Sequence, residues 1–173
     1  MKAKRSLRLV IDADISRACG DSGSPRAAAA SIFLNNVRSV CHHVVVTAAI
    51  TREWDRHESG FFAKWRRAMA NRGKIDEIEQ PSSRRLRAQL RQVDLGTRQL
   101  QEALKDAHLL EAAQVADKIV CSFDVAALGY FRRVCDRAEW VGEIAWVSPD
   151  EHPDALLQKA LTKIKTARFL GTK

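Results

Sequence analysis

Residues 103–124, "ALKDAHLLEAAQVADKIVCSFD", pass without a break from a helical pattern into a short apolar run that closes on an acid. Placed on a helix at about 100° per residue, Asp106 falls between Leu110 and Ala113 within the apolar stripe, whereas Lys105, His108 and Glu111 point elsewhere. The run from 117 to 124 reads as a buried strand with Asp124 at its carboxyl end. An unpaired charge at the edge of a core costs several kcal/mol, so two carboxylates in such places require a compensating partner. Asp117, at the junction, reads as a capping or turn residue.

The same alternation extends in both directions. Upstream, "LRLVIDADI" (7–15) is a buried strand ending at Asp12, and "DSGSPRAAAASIFLNNVRSV" supplies turn residues, Ser24 as N-cap, Pro25 at the first helical position and a helix to about Val40. "HHVVVTAAI" (42–50) is a second strand. Thr51 and Trp54 begin a helical stretch that stops near Gly73 and is interrupted at Gly60. "DEIEQPSS" is a break before the helix "SRRLRAQLRQV". Downstream come a helix in "VAALGYFRRVCDRA", a strand in "EIAWVSP" (143–149) and a closing helix in "HPDALLQKALTKIKTARFL". Strands alternating with helices predict an α/β fold: three-layer α/β/α, with a mostly parallel sheet of about four to five strands covered on both faces.

The 173 residues, 46% of them hydrophobic, suffice for one core, so 1–173 is expected to be a single domain with 52–105 as an extended basic helical region within it. The start, "MKAKRSLRLVID", has too short an apolar run for a signal peptide or a membrane span, so a cytoplasmic protein with no membrane partner is expected. Cys19, Cys41, Cys121 and Cys135 show no C-x-x-C pairing and read as buried reduced thiols. His42 and His43 precede a strand and are not expected to be ligands. A net charge of +8 and a pI near 9.7 suit a polyanionic partner.

The acids give the chain its candidate chemistry. In open parallel sheets the functional crevice lies beyond the carboxyl ends of the strands. Asp12 and Asp124 end strands there, Glu53 begins the helix after the second strand, and Asp106 faces the same edge, with Asp14 a fifth member. Each alone is an ordinary turn, cap or first-turn residue. Together they would repel, and some would stay protonated at neutral pH, unless a hard cation joined them. Mg²⁺ or Mn²⁺ takes such oxygen ligands and suits a site without a His or Cys pattern. Hydrolysis of a phosphodiester is the natural chemistry.

Between Glu53 and Asp106 lies a run of cations. Arg52, Arg56, Arg66, Arg67, Arg84 and Arg85 are the candidate nucleic-acid-binding residues, accompanied by Lys64, Arg72, Lys74, Arg87 and Arg91. Trp54, Phe61, Phe62 and Trp65 are interleaved with them, either to stack unpaired bases or to fill the interface between helix and core. Lys159, Lys163, Lys165, Arg168 and Lys173 form a second basic segment.

The order "VIDADI", "VVVTAAITREW", "LKDAHLLEAAQVADKIVCSFD" resembles the PIN domain superfamily over about residues 8–148. These are metal-dependent nucleases whose best-populated branch is the VapC-like toxins. The resemblance implies a PIN-like fold and makes Asp12, Glu53, Asp106 and Asp124 the catalytic and metal-binding acids. Ser122 matches the family's supporting hydroxyl, and Asp14 stands where many members have Asn. It further implies an endoribonuclease using Mg²⁺ or Mn²⁺ on single-stranded or structured RNA, with an antitoxin protein and a homodimer as partners. The long basic segment departs from a compact toxin. Two other expectations stand beside this one: a non-catalytic PIN-like module that binds nucleic acid or protein, and a haloacid-dehalogenase-like phosphatase that would use the D-x-D of "VIDADIS". The phosphatase leaves Glu53 and Asp106 without a task.

Overall fold

The computed structural model describes residues 6–20, 23–151 and 168–171. The β-branched and leucine-rich runs of the sequence become short parallel strands: β1 (Arg8–Ile11), β2 (His43–Val46), β3 (Ile75–Glu77), β4 (Ile119–Cys121) and β5 (Ala145–Val147). A two-residue strand, β6 (Arg168–Phe169), pairs antiparallel with the outer side of β5. The order across the sheet is β3-β2-β1-β4-β5-β6. β4 and β5 are buried throughout, and β1 and β2 expose only their first residues in part, as strands covered on both faces must be.

The helices are α1 (Ala13–Ala18), α2 (Pro25–Ser39), α3 (Ala48–His57), α4 (Gly60–Asn71), α5 (Arg84–Leu90), α6 (Thr97–Gln114), α7 (Val125–Arg132) and α8 (Glu139–Gly142). With the sheet they make a three-layer α/β/α fold. Side-chain oxygens of Ser24, Thr47, Ser59, Ser83 and Asp124 accept first-turn N–H groups at the starts of α2, α3, α4, α5 and α7. Each such cap is worth about 1 kcal/mol. From β1 the chain winds outward to β3 and then returns to β4 on the other side of β1. That reversal puts a topological switch point between the carboxyl ends of β1 and β4.

Several local expectations are corrected. Residues 13–18 leave β1 directly as α1, a six-residue helix too short to show a periodic pattern. The second strand stops at Val46 because Thr47 Oγ1 caps α3, so Ala48–Ile50 are helical. The helical stretch is interrupted as expected, and Gly60 opens its second helix, α4. The break falls at Glu58 and Ser59, where Ser59 Oγ accepts the Phe62 N–H. Residues 75–77, expected as a break, form β3, whose place at the sheet edge leaves it partly exposed and without an apolar run. The closing helix lies outside the described residues up to 167, and Arg168–Phe169 is strand. Gly171 after it approaches Gly142 so closely that a Cβ there would stand 3.0 Å from the Gly142 Cα.

The core runs from the sheet into both helical layers. Trp54, Phe62 and Trp65 belong to it. Trp54 meets Phe62 edge-on at 5.0 Å between centroids and Phe62 meets Trp65 at 5.2 Å. The indole N–H of Trp54 donates to the Ile11 carbonyl, and that of Trp65 to the Leu34 carbonyl. These three rings are therefore unavailable for stacking on bases; Phe61 is only partly buried. All four cysteines are free, Cys19 and Cys121 buried, Cys41 and Cys135 only partly so. The buried His42 accepts the Leu7 N–H, and His43 contacts Asp76.

Candidate functional site

Asp12 is the first residue beyond β1, Asp14 lies in the first turn of α1, Glu53 on α3, Asp106 on α6, and Asp124 at the N-cap of α7. All five line one cleft of about 170 Å³ at the switch point. Residues far apart in the chain meet there because the chain reverses around β1. The cleft is also lined by Arg17, Arg56, His57 and Lys105.

Ser122, buried just past β4, organises the deep end. Its hydroxyl donates to Asp12 Oδ2 at 2.8 Å, stands 3.1 Å from Asp14 Oδ2 and accepts the Asp124 N–H at 2.9 Å. Asp14 Oδ2 also accepts the Phe123 N–H. Asp14 Oδ1 is buried and has no hydrogen-bond partner among the described residues. Asp124 spends one oxygen on the Ala127 N–H at the start of α7. On the far wall, His108 Nε2 faces Glu53 Oε2 at 3.4 Å while its Nδ1 is 2.8 Å from the Lys105 carbonyl. Since the carbonyl can only accept, Nδ1 carries a proton, and attraction between Nε2 and Glu53 requires a second one.

The electrostatics follow from burial and crowding. Asp14 is pushed up to about 8, first by desolvation and then by the charge of Asp12. Asp106 is raised to about 6 by the same two causes, with Lys105 and His108 pulling the other way. Burial also raises Asp12, against the Ser122 hydrogen bond and with help from Glu53. Glu53 goes down instead, because His108 holds it. Burial draws the His108 imidazole down, and the Glu53 contact more than reverses that.

No family model, no curated protein and no solved structure matches the chain.

Among the described residues, no three or more His, Cys, Asp or Glu side chains form a group that could hold a metal ion. The acids share a cleft, yet several are tied to separate partners, Asp12 and Asp14 to the Ser122 side, Asp124 to its helix and Glu53 to His108. The four-carboxylate cage expected from the sequence is therefore not preformed. What fits a hard cation is the donor set, all oxygen, with one buried carboxylate oxygen unsatisfied and three acids destabilised as anions.

Of the six arginines singled out from the sequence, Arg56 alone lines the acidic cleft. Arg52 lines a separate groove with Glu77 and Ile78 beside the β3 edge. Arg66 is engaged by Asp55 at 2.7 Å and Glu58 at 3.3 Å and lies over the Trp54 ring. Arg67 and Arg84 are exposed, and Arg85 opens onto a depression that also holds Asp136, Glu139 and Glu143. Arg17 and His108 were not singled out. Arg17 sits on the unforeseen α1. His108 and Glu111, expected to point away from the core, are both buried, because α6 packs against α3 and α5 as well as against the sheet.

Proposed function

We propose that this chain is a Mg²⁺- or Mn²⁺-dependent nuclease that hydrolyses phosphodiester bonds, acting as an endoribonuclease. The observation that carries this is the meeting of Asp12, Asp14, Glu53, Asp106 and Asp124 on one cleft at the sheet's switch point. Mg²⁺ is commonly held by one or two carboxylates with waters and substrate phosphate completing its shell, which suits acids that share a cleft without closing a cage. Asp12, Glu53, Asp106 and Asp124 would hold the ion, and when bound it polarises a phosphate oxygen and lowers the pKa of water. Ser122 fixes the Asp12 carboxylate, His108 orients Glu53, and Arg17, Arg56 and Lys105 on the cleft wall offer positive charge to the flanking phosphate backbone. RNA as substrate rests on the PIN resemblance, as do a homodimer and an antitoxin partner; growth arrest on expression, relieved by Asp12→Asn, tests the toxin role.

The phosphatase alternative is weakened because Glu53 and Asp106, for which it has no task, line the same cleft as Asp12 and Asp14.

The test is cleavage of labelled single-stranded RNA with Mn²⁺ by wild type, Asp12→Asn and Asp106→Asn. Wild type is expected to cleave, a chelator to stop it, and either substitution to slow it at least about a hundredfold. Equal cleavage by all three overturns the assignment. RNA binding without cleavage by wild type would put the non-catalytic module in its place.

A further inference from the structure

Beside the acidic cleft lies a second one of about 450 Å³, and Arg17 lines both. Its other walls include Cys19, Ser59, Gly60, Phe61 and Lys64. The size is that of a small-ligand site, and the charge is opposite to that of its neighbour. Among the described residues, both charged side chains lining it are cations, and neither Arg17 nor Lys64 has a hydrogen-bond or ion-pair partner there. Arg66, one turn along α4 from Phe62, is by contrast neutralised by two acids. Phe61 differs in the same way from Trp54, Phe62 and Trp65: it packs on the core only in part and lines the cleft.

An acidic cleft repels every phosphate that is not paired with a cation, so a strand occupying it must find positive charge just beyond the rim. We infer that the Arg17–Phe61–Lys64 cleft is a binding subsite for a nucleotide of a single-stranded polynucleotide, next along the strand from the one at the acids. Arg17, at the junction, takes the phosphate between the two nucleotides, Lys64 takes the following phosphate, and the base stacks on Phe61. A base held in a duplex is not free to reach that ring, so the subsite selects unpaired strands. The order of the two clefts along one strand rests on the nuclease proposal; the binding itself does not.

The test is fluorescence anisotropy with a short labelled RNA in EDTA, where cleavage plays no part, with the same sequence as single-stranded DNA and as duplex RNA in parallel. Phe61→Leu keeps most of the apolar volume and is expected to weaken single-strand binding about fivefold or more. Arg17→Gln and Lys64→Gln are each expected to weaken it about three- to tenfold and to lower the salt slope by about one. Arg98→Gln, on an exposed part of α6, is expected to have no effect. Because Lys64 is exposed, its substitution probes the cleft without disturbing the core. Wild-type affinity in all three cleft variants, or duplex bound as tightly as single strand, overturns the subsite. A wild type that binds through Phe61 and Lys64 yet stays inert with Mn²⁺ overturns the nuclease proposal and leaves the subsite standing.

Discussion

Asp14 presents one carboxylate oxygen to the Phe123 N–H and buries the other, with no hydrogen-bond partner among the described residues, beside the charge of Asp12. Its pKa of about 8, against 3.8 for a free side chain, means that the folded protein keeps a proton which the unfolded chain releases. The unfolded state therefore binds fewer protons between those values, and the contribution to stability falls as pH rises from about 4 to about 8. Asp106, raised to about 6, acts in the same direction over the lower part of that range. In the absence of divalent cation, Asp14→Asn is expected to raise the thermal midpoint near pH 8 by about 2–4 °C for each kcal/mol relieved. It should leave the midpoint near pH 4 almost unchanged. Equal shifts at both pH values, measured by thermal denaturation, would contradict the crowding of these acids. The positions of Asp12, Glu53 and Asp124 were legible from the sequence because each follows a strand end, and that of Asp106 because an acid stands within the apolar stripe of α6. Arg17 and His108 were not, since α1 is too brief to show periodicity and a single-face projection of α6 turns His108 away.

Among the elements, α6 carries the most varied burden. One face covers the sheet, Lys105 and Asp106 line the cleft, His108 faces Glu53, and Glu111, 1% exposed, receives Arg87 from α5 through two hydrogen bonds together with the Ser83 N–H. Removing Glu111 leaves the Arg87 guanidinium, itself one-third exposed, and the Ser83 N–H without their acceptor, so Glu111→Ala is expected to cost about 1–3 kcal/mol in chemical denaturation. A loss below about 0.5 kcal/mol would show that α5 is not anchored this way. The helical pattern of α6 was readable over its whole apolar stripe, but a one-sided stripe says nothing of a second and third neighbour. β3 was hidden for the opposite reason: an edge strand of three residues, partly exposed, needs neither an apolar run nor alternation.

At the scale of the molecule, the parallel sheet was legible because strands sealed on both faces must be continuous apolar runs, and four of them stand out in the sequence. Their order is what matters for function. By reversing at β1 the chain brings Ser122 within 2.8 Å of Asp12, 110 residues earlier, and opens the crevice that the five acids share. The relative placement of the acidic and basic clefts depended on α1, which has no sequence pattern, and on the break near Gly60, whose place in the sequence says nothing of which cleft it borders. The central claim is that this crevice takes up a divalent cation. Calorimetric titration of Mn²⁺ at about pH 7.5 tests it most directly, with wild type, Asp12→Asn, Asp106→Asn and Arg98→Gln compared. Saturable uptake by wild type and Arg98→Gln, weakened about tenfold or more in the two Asp variants, is the result predicted. Uptake that is absent from wild type, or the same in all four proteins, would contradict it.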